Sequence, residues 1–247
     1  MLTPHIGECS SHLLLSRHSL APPLLGRFPN GLLYRFVAGR VCSVDELSDP
    51  ATYAAIARRL GEWHGVLPRH QPDAAEQPDI DLWGVMNKWI SALPSSTDAE
   101  KSKKYELQRE VDTLQLEKSK GGYGLKGLDG GVGLITGHCD LLSGNVIILP
   151  GAEGAEKTVH FIDYEYATPC ERAFDLVNHL AEWGGFQCDY TKTPMRSTRR
   201  AFLREYLKSF HQHRKDGVTV DDAEVEQLMN EVDSFRGVPG LYWYAPP

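Results

Sequence analysis

The chain has 247 residues, 41% of them hydrophobic, which suffices to bury a substantial core in one large domain or two small ones. Its formal net charge of −7 argues against a nucleic-acid-binding surface, which needs Lys and Arg gathered to displace counterions. The five cysteines (Cys9, Cys42, Cys139, Cys170 and Cys188) show no C-x-x-C pairing, so neither a disulfide framework nor a zinc site is indicated and a reducing cytoplasm fits.

The N-terminus lacks the basic start and apolar core of a signal peptide, and no apolar run approaches the ~20 residues of a membrane-spanning helix. Any membrane contact is therefore expected to be peripheral. Leu24 to Phe28 and Leu32 to Val37 are short apolar runs around Pro29-Asn30-Gly31, and Asn-Gly between such runs predicts a hairpin. Asp49-Pro50 predicts a helix start, with Tyr53, Ile56, Leu60 and Trp63 on one face. Residues 68 to 78 read as a polar, proline-punctuated loop. Leu82, Val85, Met86, Trp89 and Leu93 then return to helical spacing. Thr97-Asp98-Ala99-Glu100 is a capping box opening a charged helix with Leu107, Val111 and Leu114 as its apolar stripe.

Two stretches resemble phosphate loops and are read as ordinary loops. Gly122 to Gly127 fits G-x-G-x-x-G but follows a charged helix instead of a strand. Gly151 to Thr158 carries Glu156 where the second glycine of a P-loop belongs, and is read as a hairpin loop. Three short β-rich runs, Gly133 to Thr136, Val146 to Leu149 and Val159 to Ile162, frame the region between them. Further helices are expected near Phe174 to Trp183, Ser197 to Phe210 and Asp222 to Phe235. Arg196, Arg199, Arg200 and Arg204 lie at helical spacing and read as a solvated face.

Within that β-rich region stands His138-Cys139-Asp140, with Asn145 five residues after the acid and Asp163 at the exit of the last run. An ordered acid, amide and second acid is what metal-dependent phosphoryl transfer requires: one carboxylate takes the acceptor's proton while the others hold the cation. Magnesium needs few protein oxygens, so Asn145 and Asp163 suffice as ligands, with Asp140 as the proton acceptor. His138 is expected to brace the loop on a carbonyl, and Glu165 to play a supporting or metal role.

The stretch His138 to Asn145, the run Phe161-Ile162-Asp163-Tyr164-Glu165-Tyr166 and the block Phe174-Asp175-Leu176-Val177-Asn178-His179-Leu180-Ala181-Glu182-Trp183 together resemble the choline/ethanolamine kinases. The resemblance runs from about Glu8 to Trp243, and Gly184-Gly185-Phe186 with Asp189-Tyr190 leans to the ethanolamine branch. It implies an α+β, protein-kinase-like fold, mostly the helical large lobe with a partial small-lobe hairpin. Residues 1–40 would be the small-lobe remnant and hinge, and 41–247 the large lobe with catalytic loop, metal-binding strand and substrate-pocket helices. It implies ATP and Mg2+ as cofactors, adenine meeting the backbone near Phe36 and Val37, and phosphorylation of ethanolamine to phosphoethanolamine for phosphatidylethanolamine synthesis. Glu182 and Trp183 would hold the substrate ammonium, with Tyr242 and Trp243 adding aromatic wall. Asp175 would hydrogen-bond the catalytic loop.

The family pattern also places a glycine-rich hairpin and a lysine ahead of Glu8, and Met1 to Gly7 has no room for either. Tyr244-Ala245-Pro246-Pro247 cuts short a closing aromatic helix, so the chain is expected to be clipped at both ends and weakly active as written. Choline as acceptor, a non-catalytic remnant and another small-alcohol phosphotransferase of the same fold stay open as alternatives.

Overall fold

The computed structural model describes residues 4–68, 81–119 and 133–244. Helix α1 (Pro4–Arg17) leads into an antiparallel hairpin, β1 (Leu24–Phe28) with β2 (Gly31–Tyr34), whose ladder pairs Phe28 with Gly31 and Leu24 with Tyr34. The Asn-Gly turn thus forms where the sequence places it, although the second strand stops before Val37. Sequence reasoning did not anticipate α1. Among its described side chains the buried edge is Cys9, His12 and Leu15, a spacing of three in which only Leu15 is a strong hydrophobic signal. His12 Nε2 and Ser16 Oγ both reach the Pro22 carbonyl, at 2.7 and 2.8 Å, and tie the helix to the hairpin.

Strand β3 (Arg40–Val41) precedes α2 (Pro50–Val66). Asp49 caps α2, accepting from Thr52 N at 3.0 Å, and Pro50 occupies the first turn, where its missing N–H costs nothing. Helices α3 (Leu82–Ala92) and α4 (Asp98–Ser119) pack together. The capping box of α4 closes reciprocally, Glu100 N donating to Thr97 Oγ1 at 3.2 Å and Thr97 N to Glu100 Oε2 at 2.8 Å. The 122–127 glycine stretch, and all of the 68–78 loop after Pro68, lie outside the described residues.

The next four strands are β4 (Ile135–Gly137), β5 (Val146–Ile148), β6 (Val159–Phe161) and β7 (Thr168–Cys170). The β-rich runs are strands as expected, but they do not form one sheet. One antiparallel sheet has the order β3-β5-β6, while β4 pairs separately with β7. β7 was invisible in the sequence because Thr168-Pro169-Cys170 is short and carries a proline, which a two-stranded ladder tolerates at its edge. The 151–158 stretch is the loop of the β5–β6 hairpin, closed by Leu149 N to Thr158 O at 3.0 Å.

Helices α5 (Arg172–Ala181), α6 (Arg196–Arg214), α7 (Asp222–Ser234) and α8 (Val238–Tyr244) complete the chain. Arg196 is solvated as the sequence suggested, but Arg199, Arg200 and Arg204 are half-buried and all four are paired. Arg196 and Arg200 pair with Glu226, Arg200 and Arg204 with Asp222, and Arg199 with Asp233, so this face is latched to α7. A cluster of basic residues on one helix met an acidic face on the next, a pairing that helical spacing alone does not reveal. Arg172 of α5 and Glu231 of α7 form a buried two-point pair, with both N···O distances at 2.9 Å.

The longest helix contact is α2 on α6. It runs through Gly61 and Gly65: a Cβ on Gly61 would strike the Tyr206 carbonyl oxygen and lie 2.9 Å from Phe210 N, and one on Gly65 would lie 2.8 Å from the Phe210 oxygen. One contiguous hydrophobic core extends from Leu15 to Tyr242. Among the described residues no helix is long and apolar enough to cross a membrane.

Candidate active site

Strand β4 delivers the chain to the turn His138-Cys139-Asp140 through Gly137, where a Cβ would collide with Cys170 Sγ and approach Cys139 Sγ to 3.0 Å. Cys139 then adopts φ +62°, the left-handed region that a β-carbon disfavours. Such strain persists only when surrounding contacts over-determine it. Here α5 supplies those contacts. Asp175 accepts from His138 N at 3.0 Å and Cys139 N at 2.7 Å, Asn178 Nδ2 donates to Cys139 O at 2.9 Å, and His179 Nδ1 bonds Leu141 O at 2.8 Å. Positions 175, 178 and 179 are i, i+3 and i+4, one face of one helix. Asp175 does hydrogen-bond the loop, as the sequence led us to expect.

His138 braces the same turn from below. Burial holds its imidazole below its ordinary pKa, so the ring is neutral. Its Nε2 lies 3.0 Å from Ile162 O, the carbonyl just before Asp163, and its ring packs 5.5 Å from that of Trp63. Trp63 in turn donates its indole N–H to Thr136 O at 2.7 Å, fixing β4 against α2.

Asp140 and Asn145 are both buried, and Asn145 Nδ2 donates to Asp140 O at 2.8 Å and Oδ2 at 3.1 Å. Asn145 closes a short 3₁₀ turn, Ser143–Asn145, and its carbonyl oxygen accepts from Ile162 N at 3.0 Å, which brings the exit of β6 alongside. Asp163 follows with φ +66°, a second left-handed non-glycine residue, and its side chain is exposed. Burial, then the carboxylates of Glu182 and Asp163, push the Asp140 carboxyl up to about 7, opposed by the hydrogen bond from Asn145, while Glu165 adds to the rise. Burial also raises Glu182, at the C-terminal end of α5. Four acids therefore share one field. Among the described residues no three acidic, histidine or cysteine side chains gather closely enough to hold a metal ion by themselves, so a divalent cation here would draw on Asn145 and Asp163 with other oxygen ligands completing its shell.

The other sequence candidates divide. Glu165 is exposed beside Asp163, within this acidic group. Trp183 is 3% exposed, packs 6.0 Å from Tyr53 and points its N–H at His179 Nε2, 3.5 Å away. Tyr242 is 1% exposed with rings of Trp89 and Phe174 at 4.8 and 5.1 Å, and its hydroxyl has no hydrogen-bond partner among the described residues. Trp243 is half-buried, lies 5.2 Å from Tyr166, and donates to Asn178 Oδ1 at 2.9 Å, so it reaches the loop's mould. Phe36 is 83% exposed and Val37 half-buried, in the irregular stretch between β2 and β3. That stretch meets the site indirectly, because Arg40 and Val41 pair with Ile148 and Ile147 on the strand that begins just after Asn145.

Sequence reasoning gave no role to Asn178 and His179, although both stand in the block quoted for the resemblance. It missed His64 altogether. His64 Nε2 lies 2.8 Å from Asp175 Oδ2 and Nδ1 2.9 Å from Tyr206 Oη, a contact across 142 residues with no local signature.

A family model described as choline/ethanolamine kinase matches residues 4–245. An ethanolamine kinase of Drosophila melanogaster is 33% identical over 246 residues, covering 98% of this chain and 46% of that protein. Ethanolamine kinase 1 of Mus musculus is 30% identical, covering 96% of this chain and 63% of its own. The chain thus spans about half to less than two thirds of the length of these relatives. The solved structure of an ethanolamine kinase from Plasmodium vivax superposes with a TM-score of 0.78 at 23% identity, over 98% of this chain and 66% of that one. That likeness shows the fold, which is protein-kinase-like.

Proposed function

The chain belongs to the choline/ethanolamine kinase family, and from that membership we propose that it transfers the γ-phosphate of ATP to the hydroxyl of ethanolamine, forming phosphoethanolamine for phosphatidylethanolamine synthesis. The observation that carries this reading is the convergence of Asp140, Asn145 and Asp163, with the Asp140 carboxyl pushed up to about 7. A group with that pKa takes a proton readily at neutral pH.

In the proposed reaction Asp140 orients the acceptor hydroxyl and removes its proton. Asn145 Oδ1 and the Asp163 carboxylate hold Mg2+, with Glu165 in support. Bound magnesium supplies charge neutralisation for the phosphates. Glu182 faces the ammonium of the acceptor, with Trp183, Tyr242 and Trp243 forming the apolar backing behind it, and the Phe36-Val37 backbone meets adenine. On this reading residues 1–40 are the small-lobe part with the hinge, and 41–247 the large lobe. The proposed setting is the cytoplasm, where free thiols such as Cys188 persist.

Ethanolamine is preferred to choline because the relatives quoted bear that name and because Gly184-Gly185-Phe186 with Asp189-Tyr190 leans the same way. The test is ADP release by a protein that carries both lobes, with ATP and magnesium, and with ethanolamine or choline added. Ethanolamine is expected to give the higher kcat/KM, and Asp140→Asn to lower kcat by about 10²–10⁴-fold. No amine-dependent release, or an Asn variant as active as the parent, overturns the reading.

A further inference from the structure

Asp175 is wholly buried, and its carboxylate is the point on which two backbone N–H groups of the His138-Cys139-Asp140 turn converge. A buried carboxylate is costly unless it is fully hydrogen-bonded. Although burial pushes its pKa up, hydrogen bonding from His64 and its neighbours holds the carboxyl below its ordinary value. Its third partner is the fully buried His64 of α2, at 2.8 Å. For Nε2 to donate to a carboxylate it must carry a proton, and in the neutral ring Nδ1 is then an acceptor. Tyr206 of α6, itself buried, places its hydroxyl 2.9 Å from that Nδ1 and fills the role of donor. The approach is close because Gly61 lets α2 lie against the Tyr206 backbone.

We infer that His64 and Tyr206 are positioning residues: the Tyr206 hydroxyl selects the tautomer of His64, His64 fixes Asp175, and Asp175 sets the path of the turn that presents Asp140. Neither brace residue touches the acidic group itself. The kinetic consequence rests on the proposed phosphotransfer, but the structural one does not. Removing the hydroxyl leaves His64 Nδ1 buried without a donor and takes away one of the two contacts that fix the ring against Asp175. The left-handed turn at Cys139 then loses part of what holds it.

The experiment uses the whole chain with Tyr206→Phe, His64→Gln and His64→Ala. Nitrogen-15 NMR should find His64 of the parent protonated at Nε2. In Tyr206→Phe, the amides of His138 and Cys139 should exchange with solvent about tenfold faster, the equivalent of one lost hydrogen bond, while amides of α7 keep their protection. If the chain turns over ATP, kcat should fall about tenfold to a hundredfold with both KM values unchanged, because a displaced Asp140 spoils the reacting geometry and not binding. His64→Gln, which can still donate to Asp175, should retain more activity and more turn protection than His64→Ala. An Nδ1-protonated His64 in the parent, unchanged exchange in Tyr206→Phe, or a uniform loss of protection across the molecule overturns the inference. Absence of turnover in a parent that carries both lobes rejects the kinase reading alone, since the tautomer and exchange results stand without it.

Discussion

Asp140 is held where its charge is unwelcome. Its carboxyl sits at about 7 in the folded chain, against roughly 3.9 when unfolded, so between those values the native state keeps a proton that the unfolded state has lost. Stability contributed by this group is therefore greatest at low pH and declines as pH rises through that window, with the full penalty above about 7. Asp140→Asn removes the penalty while leaving the side-chain shape. The variant is expected to be more stable than the parent by about 1–2 kcal/mol at pH 8 and no more stable near pH 4, measured from urea midpoints. An equal difference at both pH values would show that the acid is not strained by its neighbours. The sequence disclosed Asp140, Asn145, Asp163 and His138 because their spacing is local. It did not disclose His64 and Tyr206, whose meeting with Asp175 exists only once α2, α5 and α6 have packed.

At the level of elements, the crossing of α2 and α6 depends on residues without side chains. Gly61 costs α2 roughly 1 kcal/mol of helix propensity relative to alanine, so in an isolated helix Gly61→Ala would be favourable. In the folded chain the added methyl meets the Tyr206 carbonyl and the Phe210 amide, backbone atoms that cannot rotate aside. The clash should win, with a net loss of about 3 kcal/mol, read as a lower thermal midpoint by calorimetry. A rise in the midpoint would mean that the helices part cheaply. Helices with an apolar stripe or an explicit cap, such as α2, α3 and α4, were legible from spacing alone. α1 was not, since Cys9 and His12 stand on the buried edge of its described side chains, and β7 was not, since its three residues acquire strand character only by pairing with β4.

Across the whole molecule, four of the five thiols are buried, Cys42, Cys139 and Cys170 in the continuous core and Cys9 outside it, while Cys188 is exposed. Burial raises Cys42 to about 11, and raises Cys139 and Cys170 as well, so their thiolate forms are scarce at neutral pH. A maleimide should modify one thiol in the native chain and five in denaturant, counted by intact mass; rapid modification of a second native thiol would reveal a local opening of the core. The core also explains why α5 governs the site. Asp175, Asn178 and His179 grip peptide groups of residues 138, 139 and 141 and none of their side chains. The shape of the turn is thus stored more than thirty positions downstream of the residues that display it. Within the limits of bulk, residues 139 and 141 can drift in identity while the turn keeps its form, and a change at 175, 178 or 179 rewrites a loop to which it does not belong.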